Sequence, residues 1–169
     1  LKLKCDLYSS SEREYLLGEK DKIILGWREW VTLPYLGINR IKAKIDTGAR
    51  TSSLHAFKIK KLKSATGKKQ LQVWIHPRQR STEEEVIVSV EVFDYREVTD
   101  SGGHREKRYV IKTPVKIGER TIIAEMTLTN RDTMGFRMLL GRTALRQGFL
   151  VDPKKSFLLR KPDRKVTGS

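Results

Sequence analysis

The sequence predicts an all-β fold, a closed barrel or a sandwich, with one short helix near its C-terminal end. Three observations carry that expectation. Short segments alternate apolar and polar residues with the period of two that a half-buried strand requires. Turn-forming residues separate these segments about every ten positions, the spacing of small β-barrels and sandwiches. The one stretch of helical character is late, residues 142–147, and is stopped by Gly148.

In chain order, residues 1–20 are polar and weakly patterned, with Ser9-Ser10-Ser11 at their centre, and read as an N-terminal tail or arm. The ordered part is expected to begin at Ile23-Ile24-Leu25-Gly26-Trp27. Trp30-Val31-Thr32-Leu33 is a short strand closed by Pro34, which has no N–H to give a ladder; Arg28 and Glu29 are expected on its outer side. Ile41-Lys42-Ala43-Lys44-Ile45 alternates apolar and basic residues. The basic stretch from Lys58 to Lys69 reads as a solvated hairpin or loop. From Gln70 to His76, Leu71, Val73 and Ile75 share a face, and from Val86 to Val92 four valines do the same. Further strands are expected at 109–111, 115–117 and 121–128, with turn signals at Pro114 and at Gly118-Glu119. Residues 149–151 and 156–159 complete the set. Trp27, Trp30 and Trp74 read as core or interface anchors. The domain division is therefore a tail (1–20), one folded domain (21–160) and a basic C-terminal tail (161–169).

Hydrophobic residues make up 38% and charged residues 33%, which suits a folded chain with a single modest core. No apolar run approaches the roughly 18 residues needed to cross a bilayer. Thirty-five Lys and Arg against twenty Asp and Glu give a formal charge of +15. That excess favours an anionic partner, although solubility alone also accounts for it. Aromatic residues are only 8% and no nucleic-acid-binding motif is present, so the expectation is an acidic peptide or protein, with no nucleic acid and no membrane. The single cysteine, Cys5, excludes an intrachain disulfide and a thiolate metal cluster. It leans towards a cytoplasmic location; the chain begins at Leu1 instead of Met, so a removed signal and a periplasmic location stay open.

Two motifs carry chemistry. In Ile45-Asp46-Thr47-Gly48-Ala49 a carboxylate directly follows a strand, in a turn whose glycine lets another backbone approach. Alone, Asp-Thr-Gly is a common turn. The second motif, Phe136-Arg137-Met138-Leu139-Leu140-Gly141-Arg142, is an apolar strand ending in Gly and opening the short helix.

In these two elements and their order the sequence resembles the retroviral-type aspartic proteases, the retropepsins. A closer resemblance rests on Gly26-Trp27-Arg28-Glu29-Trp30, Lys44 to His55, Thr99 to Val110, Leu128 to Asp132 and Leu150-Val151-Asp152-Pro153. It spans about residues 23–160 and points to a bacterial family labelled ATP-dependent zinc proteases and described as retropepsin-like.

The resemblance implies a closed acid-protease barrel, a single lobe that pairs with a second copy of itself. Each subunit of the homodimer would contribute one catalytic carboxylate, Asp46. Thr47 would buttress the pair across the interface and Gly48 would line the substrate backbone. The hairpin from Val98 to His104 would be the flap. Substrate contacts would then involve Ala49, Arg50, Ser101, Gly102, Gly103, His104 and Arg142. Such an aspartic endopeptidase needs no cofactor and no metal. The words ATP and zinc in the family label find no support in the residues, since neither a Gly-x-x-x-x-Gly-Lys-Ser/Thr run nor a His-Glu-x-x-His helix occurs. One alternative is a zinc-dependent hydrolase in which His55, His76 and His104 converge, with or without Asp46. Another is a non-catalytic basic β-barrel that binds an acidic protein.

The chain departs from the retropepsin pattern in two places. Arg50 stands where an acid usually pairs with the late Arg, here Arg142, so two cations are expected to face each other unless Asp132 or Asp152 intervenes; the same arginines could form an anion site. The flap segment from Asp100 to Arg108 is highly polar. Asn130, Arg131 and Asp132 form a polar turn that could support the Asp46 region. Relatives of the family are associated with ATP-grasp ligases that add glutamates to proteins, which makes glutamate-rich peptides the expected substrate and a ligase system the expected associate.

Overall fold

A computed structural model describes residues 22–63, 67–99, 102–130, 135–159 and 161–162. The expected tail at 1–20, Ser101, Arg131, Asp132 and most of the expected C-terminal tail lie outside the described residues.

The strands are β1 (Ile23–Gly26), β2 (Arg28–Leu33), β3 (Ile38–Ile45), β4 (Ser52–His55), β5 (Lys58–Leu62), β6 (Gln70–Ile75), β7 (Val86–Glu91), β8 (Asp94–Thr99), β9 (Arg105–Ile117), β10 (Arg120–Thr129), β11 (Met138–Leu140) and β12 (Phe149–Asp152). A 3-10 turn, Pro34–Leu36, joins β2 to β3, and the helix α1 is Arg142–Leu145. Six strands in the order β10-β4-β11-β3-β2-β9 close into a barrel because β9 also pairs with β10. Closure removes the sheet edges that an open β-sheet would expose. β8 extends the barrel wall through β9, while β5-β6-β7 forms a separate three-stranded sheet and β1-β12 a parallel pair.

The period-two pattern sets which side chains fill the barrel. Val31 and Leu33 from β2, Ile41 and Ala43 from β3, Leu54 from β4, Met126 from β10 and Met138 and Leu140 from β11 are all fully buried. Leu71, Val73 and Ile75 of β6 join the same cluster. They sew the three-stranded sheet onto the barrel, so the chain has one continuous core.

Four local expectations are corrected. Pro114 does not make a turn: β9 runs unbroken through it for 13 residues. On the side of β9 away from β10, the ladder with β8 ends at Val110 and β2 pairs only at Lys116, so a residue without an N–H is accommodated at 114, between the two. Gly118-Glu119, by contrast, does form the β9–β10 turn, with Gly118 at φ 56°. Glu29 is not on the outer side of its strand but fully buried. Its carboxylate accepts hydrogen bonds from the N–H groups of Gly26 (2.8 Å), Leu158 (2.9 Å) and Leu159 (3.3 Å). These bonds explain why 156–159 is not a strand, since a side chain supplies the acceptors that a neighbouring strand would offer. The helix is shorter than expected, ending at Leu145 with a turn through Gly148. Among the described residues, no helix is long and apolar enough to cross a membrane.

Candidate active site

The site is built where β3 ends. β11 lies between β3 and β4, parallel to β3 with Leu140 opposite Ile45, and antiparallel to β4 with Met138 opposite Leu54. The chain therefore leaves β3 at Asp46, loops out, and returns as β4 on the far side of β11. The loop is fixed by backbone bonds to both neighbours: Ile45 N–H donates to the Trp27 carbonyl and Asp46 N–H to the Leu140 carbonyl, each at 2.9 Å.

Within the loop, Asp46 Oδ1 accepts hydrogen bonds from the N–H groups of Gly48 and Ala49, both at 3.0 Å. A Cβ on residue 48 would sit 3.2 Å from that oxygen, so glycine lets the turn close tightly around the carboxylate. The other oxygen, Oδ2, lies 3.7 Å from Lys44 Nζ, and the Asp46 side chain is 25% exposed. One oxygen is thus held by backbone dipoles while the side chain as a whole stays partly exposed.

The late Gly-Arg pair locks the loop from the other side. Arg142 N–H donates to the Ala49 carbonyl (2.8 Å), and its Nη1 donates to the carbonyls of Thr47 (2.9 Å) and Gly48 (2.8 Å). Thr143 donates through its N–H and its hydroxyl to the Arg50 carbonyl, both at 3.1 Å. Gly141 N–H donates to the buried Ser52 Oγ at 3.1 Å. A Cβ at Gly141 would fall 2.8 Å from the Thr51 carbonyl carbon, which makes glycine obligatory at this crossing.

For the expected meeting of two arginines, the structure gives Arg142 other partners. The Arg142 guanidinium is held over backbone carbonyls, and Arg50 joins the lock through its own carbonyl. The Asp152 carboxylate does not intervene, since it takes the Lys154 N–H at 2.9 Å and lies 3.9 Å from Lys155 Nζ.

Gly102, Gly103 and His104 are exposed in the connection between β8 and β9, and Gly103 takes φ 82°. Those two strands form the expected hairpin, with Thr99 opposite Arg105. Beneath it an open groove runs along Tyr95, Arg108, Tyr109, Leu128, Thr129 and Asn130.

The three histidines do not converge. His55 and His76 are buried with ring centroids 5.8 Å apart, and Phe57 stacks on His76 at 4.0 Å. His104 is exposed in the β8–β9 connection. His55 N–H meets the Arg137 carbonyl, at the start of β11, whereas Asp46 meets Leu140 at its end. Among the described residues, no group of three or more His, Cys, Asp or Glu could hold a metal ion.

Sequence reasoning passed over Lys44 and Ser52. Lys44 is two positions before Asp46 on a period-two strand and so shares its face. That signal was present. Ser52 has no such signal, because its hydroxyl matters only once Gly141, far along the chain, arrives beside it.

A family model described as RimB-like, retropepsin-like aspartic endopeptidase RimB, matches residues 24–162. A Shewanella pealeana protein named probable alpha-L-glutamate ligase is 45% identical over 139 residues, covering 82% of this chain and 30% of that protein. A Desulfotalea psychrophila protein of the same name is 42% identical over 132 residues, covering 78% of this chain and 28% of that protein. The chain thus spans less than a third of the length of these curated relatives. Among solved structures, Lpg0085 of Legionella pneumophila, a protein of unknown function, superposes with a TM-score of 0.67 at 27% identity, over 80% of this chain and 96% of that one.

Proposed function

The chain belongs to the RimB-like family of retropepsin-like aspartic endopeptidases, and from that premise we propose that it hydrolyses peptide bonds as a homodimer, with the two Asp46 carboxylates activating one water. The observation that carries this reading is the posture of Asp46. Oδ1 is pinned by two backbone N–H groups and the side chain is still a quarter exposed. A single carboxylate so placed is half of an acid–base pair.

Two carboxylates brought within about 3 Å do not both ionise, and share one proton. The ionised member takes a proton from the water between them. The protonated member donates its proton to the carbonyl oxygen of the scissile bond as the tetrahedral intermediate forms. The lock of Arg142, Gly141 and Ser52 serves this chemistry by holding the Asp46 loop in one place, since sub-ångström positioning governs such a step. The paired strands β1 and β12 offer a surface for the second copy. Ile24 and Leu150 are neighbours in register there, and are 54% and 40% exposed. Exposed apolar neighbours of this kind suit the contact of one copy with another.

For the substrate we propose glutamate-rich peptide segments. The +15 charge favours acidic partners, and the relatives' name, probable alpha-L-glutamate ligase, describes an enzyme class whose products carry added glutamate. On this reading the domain works alongside an ATP-grasp ligase system and trims what such a system adds. Mass spectrometry of a protein with a glutamate tail, incubated with wild type and with Asp46→Asn, tests the proposal. Shortening by wild type alone, with both proteins folded and equally dimeric, is the expected result. Equal shortening by both, or by neither, removes the aspartic mechanism for this substrate.

A further inference from the structure

The outward face of β2 and β3 carries a row of cations that leads to Asp46. Arg40, Lys42 and Lys44 alternate with the buried Ile41, Ala43 and Ile45 along β3, so all three share the outer face with Asp46. Across the ladder, Arg28 stands opposite Lys44 and Trp30 opposite Lys42. Directly opposed residues of antiparallel strands project from the same face.

Aromatic rings brace these cations. Lys42 Nζ lies 5.2 Å and the Arg40 guanidinium 5.5 Å from the Trp30 ring, and Lys161 Nζ is 5.0 Å from it. Phe157 stacks against the same indole with centroids 5.8 Å apart. The Arg28 guanidinium lies over two rings, Trp27 at 4.4 Å and Phe157 at 4.9 Å, and its buried Nε has no hydrogen-bond partner.

What sets the row apart, among the described residues, is how few of its cations meet a carboxylate. On the neighbouring hairpin, Arg96 pairs with Asp94 and Glu125, Arg105 with Glu97, and Arg108 with Glu106. Among the described residues, Arg28, Arg40, Lys42 and Lys161 pair with no carboxylate, and Lys44 pairs only with Asp46. Bracing restricts these long side chains without neutralising them, so less freedom is lost when an anion arrives.

We propose that this face is a docking track for an acidic polypeptide segment lying extended along β3, with its end delivered to Asp46. It deepens the substrate assignment above and rests on the acidic-peptide part of that reading. The spacing favours this occupant: residues two apart on a strand are about 6.6–6.8 Å apart, the interval at which an extended glutamate-rich chain presents carboxylates on one side. Single-stranded nucleic acid fits less well, because it takes its sequence-tolerant affinity from bases stacked on open aromatic faces. Here Trp30 is already covered by Lys42, Arg40, Lys161 and Phe157.

Binding of a labelled oligo-glutamate peptide, followed by fluorescence anisotropy on the Asp46→Asn protein, tests the track without any need for cleavage. Loss of catalysis and loss of docking are therefore read separately. Adding Arg40→Glu with Lys42→Glu should weaken binding about tenfold or more and flatten its salt dependence. Lys60→Glu with Lys61→Glu, the same charge change on β5, should leave affinity within about twofold. Arg40→Gln with Lys42→Gln, a milder pair, should give an intermediate loss, and thermal melts show whether each variant is folded. Equal loss from the β3 and β5 pairs, or no loss from a folded β3 pair, overturns the proposal. So does tighter binding of a single-stranded RNA of equal charge that depends on Arg40 and Lys42.

Discussion

The two ends of β11 hold the two groups of side chains best equipped for chemistry, and they are built in opposite ways. At its exit, next to Leu140, Asp46 keeps one oxygen fixed by backbone N–H groups and part of its side chain in solvent. At its entrance, next to Arg137, His55 is fully buried, and His76, 8% exposed, packs flat against Phe57. Residue type alone would have favoured the histidines, which are the commonest acid–base groups. The difference teaches that presentation matters more than type. A group that reacts must be oriented by the fold and still reach a substrate, whereas a ring closed into an aromatic stack serves packing.

Asp46→Asn separates the two ends most sharply. It should reduce peptide cleavage on the order of 10³-fold or more, with unchanged thermal stability and dimerisation, as read by rate assays and calorimetry. Gly141→Ala comes next, because its new methyl meets Thr51 and Ala49 backbone atoms at 2.8–3.0 Å. Denaturant melts should show a loss of about 1–3 kcal/mol, with activity falling as the Asp46 loop shifts. Arg142→Ala removes two bonds to the carbonyls of Thr47 and Gly48. Because the side chain is exposed, the stability cost should be only about 1 kcal/mol, while the cleavage rate drops about tenfold. His76→Phe should be the mildest in rate, within about twofold, with a stability change within about 1.5 kcal/mol, and a chelator should leave that rate unchanged. A His76 variant as inactive as the Asp46 variant would erase the contrast.

Much of this was legible beforehand where local pattern and global fold agree. The alternating strands β3, β6, β7 and β10 read directly, because their apolar residues face one core. The Asp46 turn and the Gly141-Arg142 element were legible as motifs, and their meeting followed from the resemblance to retropepsins. What could not be read depends on contacts distant in sequence. Glu29 looked like an exposed strand charge; two of the three donors to its buried carboxylate, the N–H groups of Leu158 and Leu159, come from far along the chain. Pro114 looked like a stop because nothing local reveals that it falls between the end of the β8 ladder at Val110 and the β2 contact at Lys116. The partners of Arg142 were not legible either, because the sequence does not show that its guanidinium reaches the carbonyls of Thr47 and Gly48.

Subunit mixing tests the central claim most directly: one Asp46 per chain is half a site. After exchange of wild-type and Asp46→Asn subunits at constant total protein, cleavage should fall with the square of the wild-type fraction, because each mixed dimer holds a single carboxylate. A fall in simple proportion to the wild-type fraction would mean that each chain acts by itself, and would contradict the shared site.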